Sequence, residues 1–233
     1  MNELNQPSQK RSIRSFVRRE GRMTIGQKKA FETLWPVYGL NPGEALPDIN
    51  APFGRQGPVI LEIGFGMGDS LAQQAANQPQ NLYLGIEVHR PGVGHLLSLI
   101  ETNAIDNIRI YCADAVEVLN HCIPNNSLSC VQIFFPDPWP KQRHHKRRLI
   151  QLPFIQLIAA KLKPQGSLHL ATDWQNYAQH MLKVMSSCEN FVNTATDGPF
   201  VERPATRPLT KFENRGQRLG HGVWDLVFRK YSA

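Results

Sequence analysis

Residues 59–70, VILEIGFGMGDS, constrain this chain more than any other stretch. Val59, Ile60, Leu61 and Ile63 make the apolar run of a buried strand, and Gly64-Phe65-Gly66-Met67-Gly68 ends it. Asp69 and Ser70 then open a helix predicted to reach about Asn77. Strand, glycine loop and helix start form the first unit of a nucleotide-binding α/β fold. Glycine lets backbone approach a ligand closely, and a helix start presents N–H groups with no intrahelical partner. The dinucleotide fingerprint G-x-G-x-x-G is not met, because the third glycine comes one residue early and Asp69 holds its slot. Glu62, just inside the loop, is a poor neighbour for a pyrophosphate and suits a ligand with a positively charged end. Taken alone, the glycines also fit a plain structural turn.

A βα rhythm continues from there. Residues 82–88, LYLGIEV, are predicted as the second strand. Glu87 lies near its end, about 20 residues past the glycine loop, where nucleotide folds place the acid that accepts ribose hydroxyls. A solvated strand-end acid is the plainer reading of the same residue. Residues 91–102 read as a helix and 107–112 as the third strand. Asp114 comes next, placed to accept from an adenine amine, to cap the helix predicted over 115–121, or to do both. Residues 129–135, SCVQIFF, are apolar enough for a central fourth strand. Pro153 suits the first turn of a helix to about Lys163, and Pro164-Gln165-Gly166 ends it. Residues 167–172 are the fifth strand, and Asp173 either caps the next helix, to about Ser187, or faces substrate. A strand near Phe191, a loop rich in Pro and Arg, and a closing strand over 223–228 complete the chain. Five βα units and a terminal strand pair predict an α/β, Rossmann-like, doubly wound sheet, mostly parallel with an antiparallel terminal strand at its edge.

The fourth strand runs into Pro136-Asp137-Pro138-Trp139-Pro140. Ligands in open α/β sheets bind beyond the carboxyl ends of strands, so this loop should border the same crevice as the glycines. The prolines fix the backbone and Asp137 offers a rigid carboxylate. Trp139 offers either a flat surface for a base or a packing ring. Lys141, Arg143, His144, His145, Lys146, Arg147 and Arg148 come next. That density of cations beside a site favours phosphate contact over a solvated face. The His pair has no partner at metal-binding spacing, so no metal is assigned.

Overall charge agrees, since a net +7 and a pI near 9.4 call for an anionic partner. Residues 1–29 are polar and basic, and read equally as a solvated arm or an RNA-touching one. Phe31, Leu34 and Trp35 dock the next segment onto the core, and residues 36–58, rich in Pro and Gly, read as loop. The expected organisation is a basic, partly flexible arm and loop over 1–50 and one α/β domain over 51–233, long enough to bury a sizeable core. Cys112, Cys122, Cys130 and Cys188 show no C-x-x-C spacing and read as small core residues of a reduced, cytoplasmic protein. No apolar run is long enough to span a bilayer, and the N-terminus carries no signal-peptide region.

These motifs together resemble the bacterial tRNA (guanine-N7-)-methyltransferase family of class I S-adenosylmethionine enzymes. The likeness runs through RSFVRREGRMTIGQKKA, LEIGFGMG, GIEVHRPGVG, DAVEVL, FFPDPWPKQRHHKRR, ATDW and RPLTKFENRG, from about residue 12 to 228. The resemblance implies the class I methyltransferase sheet, S-adenosylmethionine as cofactor, and N7 of a guanine in the tRNA variable loop as acceptor. It places Glu62, Gly64, Gly66, Gly68, Glu87, Asp114 and Asp137 at the cofactor, with Asp137 also catalytic. Lys141, Asp173, Thr210, Lys211, Phe212 and Glu213 look like substrate contacts, and Arg143, His144, His145, Lys146, Arg147 and Arg148 like the RNA-contact segment. Neither a membrane nor a metal is implied, and the protein is expected as a monomer or homodimer. An NAD-linked oxidoreductase is opposed by the early third glycine and the basic loop. A non-catalytic RNA-binding module is opposed by the row of acids at strand ends. Methylation of an exocyclic amine is the nearest alternative, because a D-P-P-Y-like loop can serve such amines.

Overall fold

A computed structural model describes residues 21–209, 213 and 222–231. The arm before residue 21 and the expected substrate residues Thr210, Lys211 and Phe212 lie outside the described residues. The glycine-loop strand is β2 (Val59–Ile63), followed by α2 (Asp69–Asn77). Then come β3 (Leu82–Ile86), α3 (Arg90–Thr102), β4 (Ile108–Tyr111), α4 (Ala115–His121) and β5 (Leu128–Phe134). The second half holds α5 (Leu152–Lys161), β6 (Leu162–Thr172), α6 (Gln175–Ser186), β7 (Phe191–Asn193) and β8 (Trp224–Lys230). Ahead of β2 stand α1 (Ile25–Tyr38) and a short β1 (Gly39–Leu40).

Among the described residues the strands form one sheet in the order β1-β4-β3-β2-β5-β6-β8-β7. From β1 to β6 neighbours are parallel; β8 runs against both β6 and β7. The reversed strand therefore sits one place in from the edge rather than on it. β2 lies between β3 and β5, where the chain order reverses, so the glycine loop opens at the switch point of the sheet.

Alternation along β2 divides the core. Val59, Leu61 and Ile63 join a cluster with Val118 and Leu119 of α4, Ile155 and Ile158 of α5, and Met181 of α6. Ile60 faces the opposite layer, where Tyr83 packs with Leu71 of α2 and Leu96 and Leu97 of α3. Both faces are covered, so the strands read as nearly continuous apolar runs.

Two readings of the sequence change. Residues 36–58 do not begin as a loop, because Pro36 lies inside the last turn of α1 and Gly39–Leu40 add an edge strand to β4. Proline there removes one N–H donor, but Phe31, Leu34, Trp35 and Tyr38 pack against the α3 layer and hold the turn. A capping box at Thr24 and Gln27 starts the same helix. Pro164-Gln165-Gly166 is not a helix stop. It bulges within β6, between the pairs Leu128↔Leu162 and Cys130↔Ser167, with Gln165 at φ 63°.

Candidate active site

The carboxyl ends of β2 to β5 surround a cavity of about 850 Å³. Gly64, Glu87, Asp114 and Asp137 line it, one from each successive strand end. Phe135, at the root of the proline loop, and Met23 and Lys28, beside and within α1, line it too. Phe135 and Met23 were not singled out in the sequence, and Lys28 counted there only toward the charge of the basic arm. An apolar residue at a strand end and a lysine in a basic stretch carry no mark of a cavity until the chain closes over it.

The loop owes its shape to left-handed backbone, with Gly66 at φ 60° and Gly68 at φ 81°. Glu87 fixes it in place. Its Oε2 accepts from the Gly66 amide at 2.9 Å, and its Oε1 from the amides of Val88 and His89 at 2.7 and 2.9 Å. Gly92 of α3 presses on the same loop, since a Cβ there would collide with the Gly66 carbonyl oxygen. Asp114 caps α4 through Oδ1, which accepts from Val116 and Glu117 at 2.7 and 3.4 Å. Glu62 immediately precedes Ile63 and Gly64, which line the cavity; it is buried, and its Oε2 lacks a hydrogen-bond partner. Burial, and then the charge of Glu87, push its carboxyl up to about 8.

Asp137 is exposed at the cavity on a loop held from several sides. Phe135 and Trp139 take φ of 51° and 44°, conformations that bulky residues keep only when surroundings impose them. Arg148 supplies part of that constraint. Its Nε donates to the Pro138 carbonyl at 2.9 Å, an Nη donates to Asn176 Oδ1 at 2.7 Å, and the guanidinium lies 4.8 Å from the Tyr177 ring centre.

The basic run is thus not uniform. Lys141, Arg143 and Lys146 are exposed, and His144, His145 and Arg147 are half-buried on a 3₁₀ turn, Gln142–Arg147. Arg147 lies over the Trp139 ring at 5.0 Å, and His144 meets the ring edge-on at 5.9 Å. Partial burial and the cations around it hold the His144 imidazole below its usual range. Arg148 is 2% exposed and turned inward, which corrects the expectation that it meets phosphate. A sequence pattern counts charges but does not show which of them the turn points into the core.

Asp173 is exposed at the end of β6, and Trp174 rather than Asp173 occupies the N-cap of α6. Glu213 is a second correction. Expected at substrate, it is buried with both oxygens accepting from Arg207, at 2.6 and 2.7 Å. Arg207 is fully buried and also donates to both oxygens of Asp225 on β8, each at 2.7 Å. Asp225 in turn meets His169 of β6 at 2.7 Å. The guanidinium lies 5.7 and 5.6 Å from the ring centres of Phe134 and Phe135, at the root of the loop that carries Asp137. Burial pushes Asp225 up, but hydrogen bonds from His169 and Arg207 outweigh it and hold the carboxyl below its ordinary value.

Residues 56–226 match a family model described as "Putative methyltransferase". A protein of Aeromonas hydrophila subsp. hydrophila named tRNA (guanine-N(7)-)-methyltransferase is 59% identical over 220 residues, covering 94% of this chain and 93% of that one. A protein of the same name from Alcanivorax borkumensis is 56% identical over 220 residues, covering 94% and 92%. Among solved structures, the 16S rRNA methyltransferase KamB matches 82% of this chain and 98% of its own with a TM-score of 0.56 at 13% identity, a likeness of fold.

Proposed function

The chain belongs to the tRNA (guanine-N(7)-)-methyltransferase family, and we propose that it transfers a methyl group from S-adenosylmethionine to N7 of a guanine in the tRNA variable loop. The observation that carries this reading at the level of residues is the meeting of Gly64, Glu87, Asp114 and Asp137 around one cavity beside an exposed cationic turn. S-adenosylmethionine supplies an electrophilic methyl group on a sulfonium. The residues present suit it: a buried acidic oxygen without a partner in Glu62 answers a cationic amine. Glu87 keeps one lone-pair site, on Oε2, for a ribose hydroxyl, and Asp114 uses only Oδ1 in capping, leaving Oδ2 for an adenine amine.

Guanine N7 is an exposed ring acceptor with a free lone pair, so no proton leaves before transfer. What the protein supplies is alignment and a favourable field. Asp137, on a loop pinned by Arg148, places a carboxylate beside the acceptor ring, where positive charge develops. Lys141, Arg143 and Arg147 reach the flanking phosphates, and the basic arm adds to them. Lys141 and Asp173 border the acceptor base. No helix among the described residues is long and apolar enough to cross a membrane, and no group of potential metal ligands is present among them. Free cysteines and a tRNA substrate support a cytoplasmic protein, as monomer or homodimer.

The test is to treat bulk tRNA with the protein and labelled cofactor, digest it to nucleosides and identify the methylated one. 7-Methylguanosine is expected. An N-methylated exocyclic amine would overturn the N7 assignment.

Two variants check the parts separately. Glu87→Ala is expected to weaken cofactor binding by about 1–3 kcal/mol, the cost of losing a buried hydrogen-bonding partner, as read by titration calorimetry. The loop amides it holds lose their acceptor in the same step. Arg147→Ala is expected to lower the slope of log affinity for tRNA against log salt by about 0.7–0.9, the share of one phosphate contact. Arg148→Ala should leave that slope unchanged, because its guanidinium faces inward; a lowered slope would put Arg148 back among the phosphate ligands.

A further inference from the structure

Glu62 of β2 and Gln132 of β5 are directly paired in register, so their side chains share one face of the sheet. Both are buried, and each ends in an acceptor without a partner, Glu62 Oε2 and Gln132 Oε1. The Gln132 amide is already oriented. Its Nε2 donates to Gln74 Oε1 at 3.0 Å, and Gln74 Nε2 donates to Ser70 Oγ at 3.3 Å, leaving the Gln132 oxygen outside that chain. On its other side Glu62 pairs with Gly85, which offers no donor, and Phe65 and Leu71 close over that glycine. Two buried acceptors side by side are costly, and a single proton satisfies both: a neutral carboxyl group donates to a neighbouring amide oxygen.

We propose that Glu62 is a protonated acid in the free protein, and that it releases its proton when the cationic amino group of the cofactor binds. This rests on the S-adenosylmethionine reading and adds a coupling between cofactor affinity and pH. The ionisable groups on the elements packed around it are Glu87 and Tyr83 with β3, Cys130 on β5, Asp69 at the head of α2, and Arg90, His95 and Glu101 on α3; of their charges it is that of Glu87 that shifts Glu62. Lys28, His89 and Arg90 line the cavity, but the acidity of Glu62 is set by burial first and Glu87 second. Both raise its pKa, to about 8, so the free carboxyl is mostly protonated at pH 7. A bound cation one residue beyond, at the Ile63–Gly64 wall, reverses the balance and favours the carboxylate. Binding therefore strengthens as pH rises, nearly tenfold per unit below the free pKa. The window for observing it is about pH 6 to 7, below the titration of the ligand's own amine near 8.

The experiment is titration calorimetry of the full chain with S-adenosylhomocysteine, which keeps the amino acid end. Runs at pH 6.8 in buffers of low and high ionisation enthalpy give the protons released. Wild type is expected to release close to one proton per ligand and Glu62→Gln close to none. Difference infrared spectra of wild type should lose a protonated-carboxyl band on binding, a readout that does not need the variant to bind. Binding without proton release, an unchanged carboxyl band, or equal release from Glu62→Gln would overturn the proton coupling alone. Absence of binding to wild type would overturn the cofactor reading and this inference with it.

Discussion

Asp137→Asn is expected to slow methyl transfer roughly 10²–10³-fold, the scale for removing one preorganised electrostatic partner. Asparagine keeps the shape and the loop but removes the charge, so folding and cofactor binding should survive. Asp137→Ala should be slower still. The mechanism fixes the pH dependence as well. Guanine N7 has no proton to lose, so single-turnover rates at saturating cofactor and tRNA should stay nearly flat from pH ~6 to ~8.5, whereas an exocyclic amine would need a proton acceptor. Saturation also removes the contribution of Glu62 to binding from that profile. A wild-type rate that climbs with pH, and loses the climb in Asp137→Asn, would identify a general base and revive amine methylation.

Arg207→Met is expected to destabilise the fold by about 3–5 kcal/mol, because it leaves two buried carboxylates, Glu213 and Asp225, without their cation. For a chain of this size that lowers the melting temperature by roughly 10 °C. Denaturant unfolding monitored by tryptophan fluorescence would measure it, and a loss under about 1 kcal/mol would show that the cluster relaxes without its centre. The network also has a pH signature. Asp225 has a folded pKa below its unfolded one, so its stabilisation is complete above the unfolded value of about 4 and is lost as pH falls through the folded value. Wild type should therefore lose stability in acid below about pH 4. Arg207→Met, which removes one of the two groups holding Asp225 down, should lose less there.

The parallel half of the sheet was legible because its signals are local. An apolar run ending in glycines at β2, Glu87 after β3 and Asp114 at the start of α4 each combine a periodicity with a residue type that only a few backbone conformations favour. The predicted helix over 69–77 matches α2 to the residue, because Gly68 in left-handed backbone and Asp69 in the first turn mark its start chemically. Helix α1 was not legible. Pro36 and a basic surround read as loop, and what holds the last turn is aromatic packing on α3 from elsewhere in the chain. The bulge in β6 was missed for the same reason: Pro164-Gln165-Gly166 stops a helix in isolation, but pairing with β5 carries the strand past it.

The sequence by itself determined the fold class, the alternation of strand and helix along the chain and the row of acids at strand ends, since these follow from periodicity and from what each residue allows its own backbone. Tertiary structure alone decided which charges face a ligand. Arg147 and Arg148 are adjacent and alike in sequence, yet one lies over Trp139 at the rim and the other is buried beneath the proline loop. Glu213 and Glu87 are equally acidic on paper, but Arg207 occupies the first while the second holds the glycine loop open at the cavity. The physical reason is that a charge acts according to its burial and partners, and both are set by segments far apart in the chain.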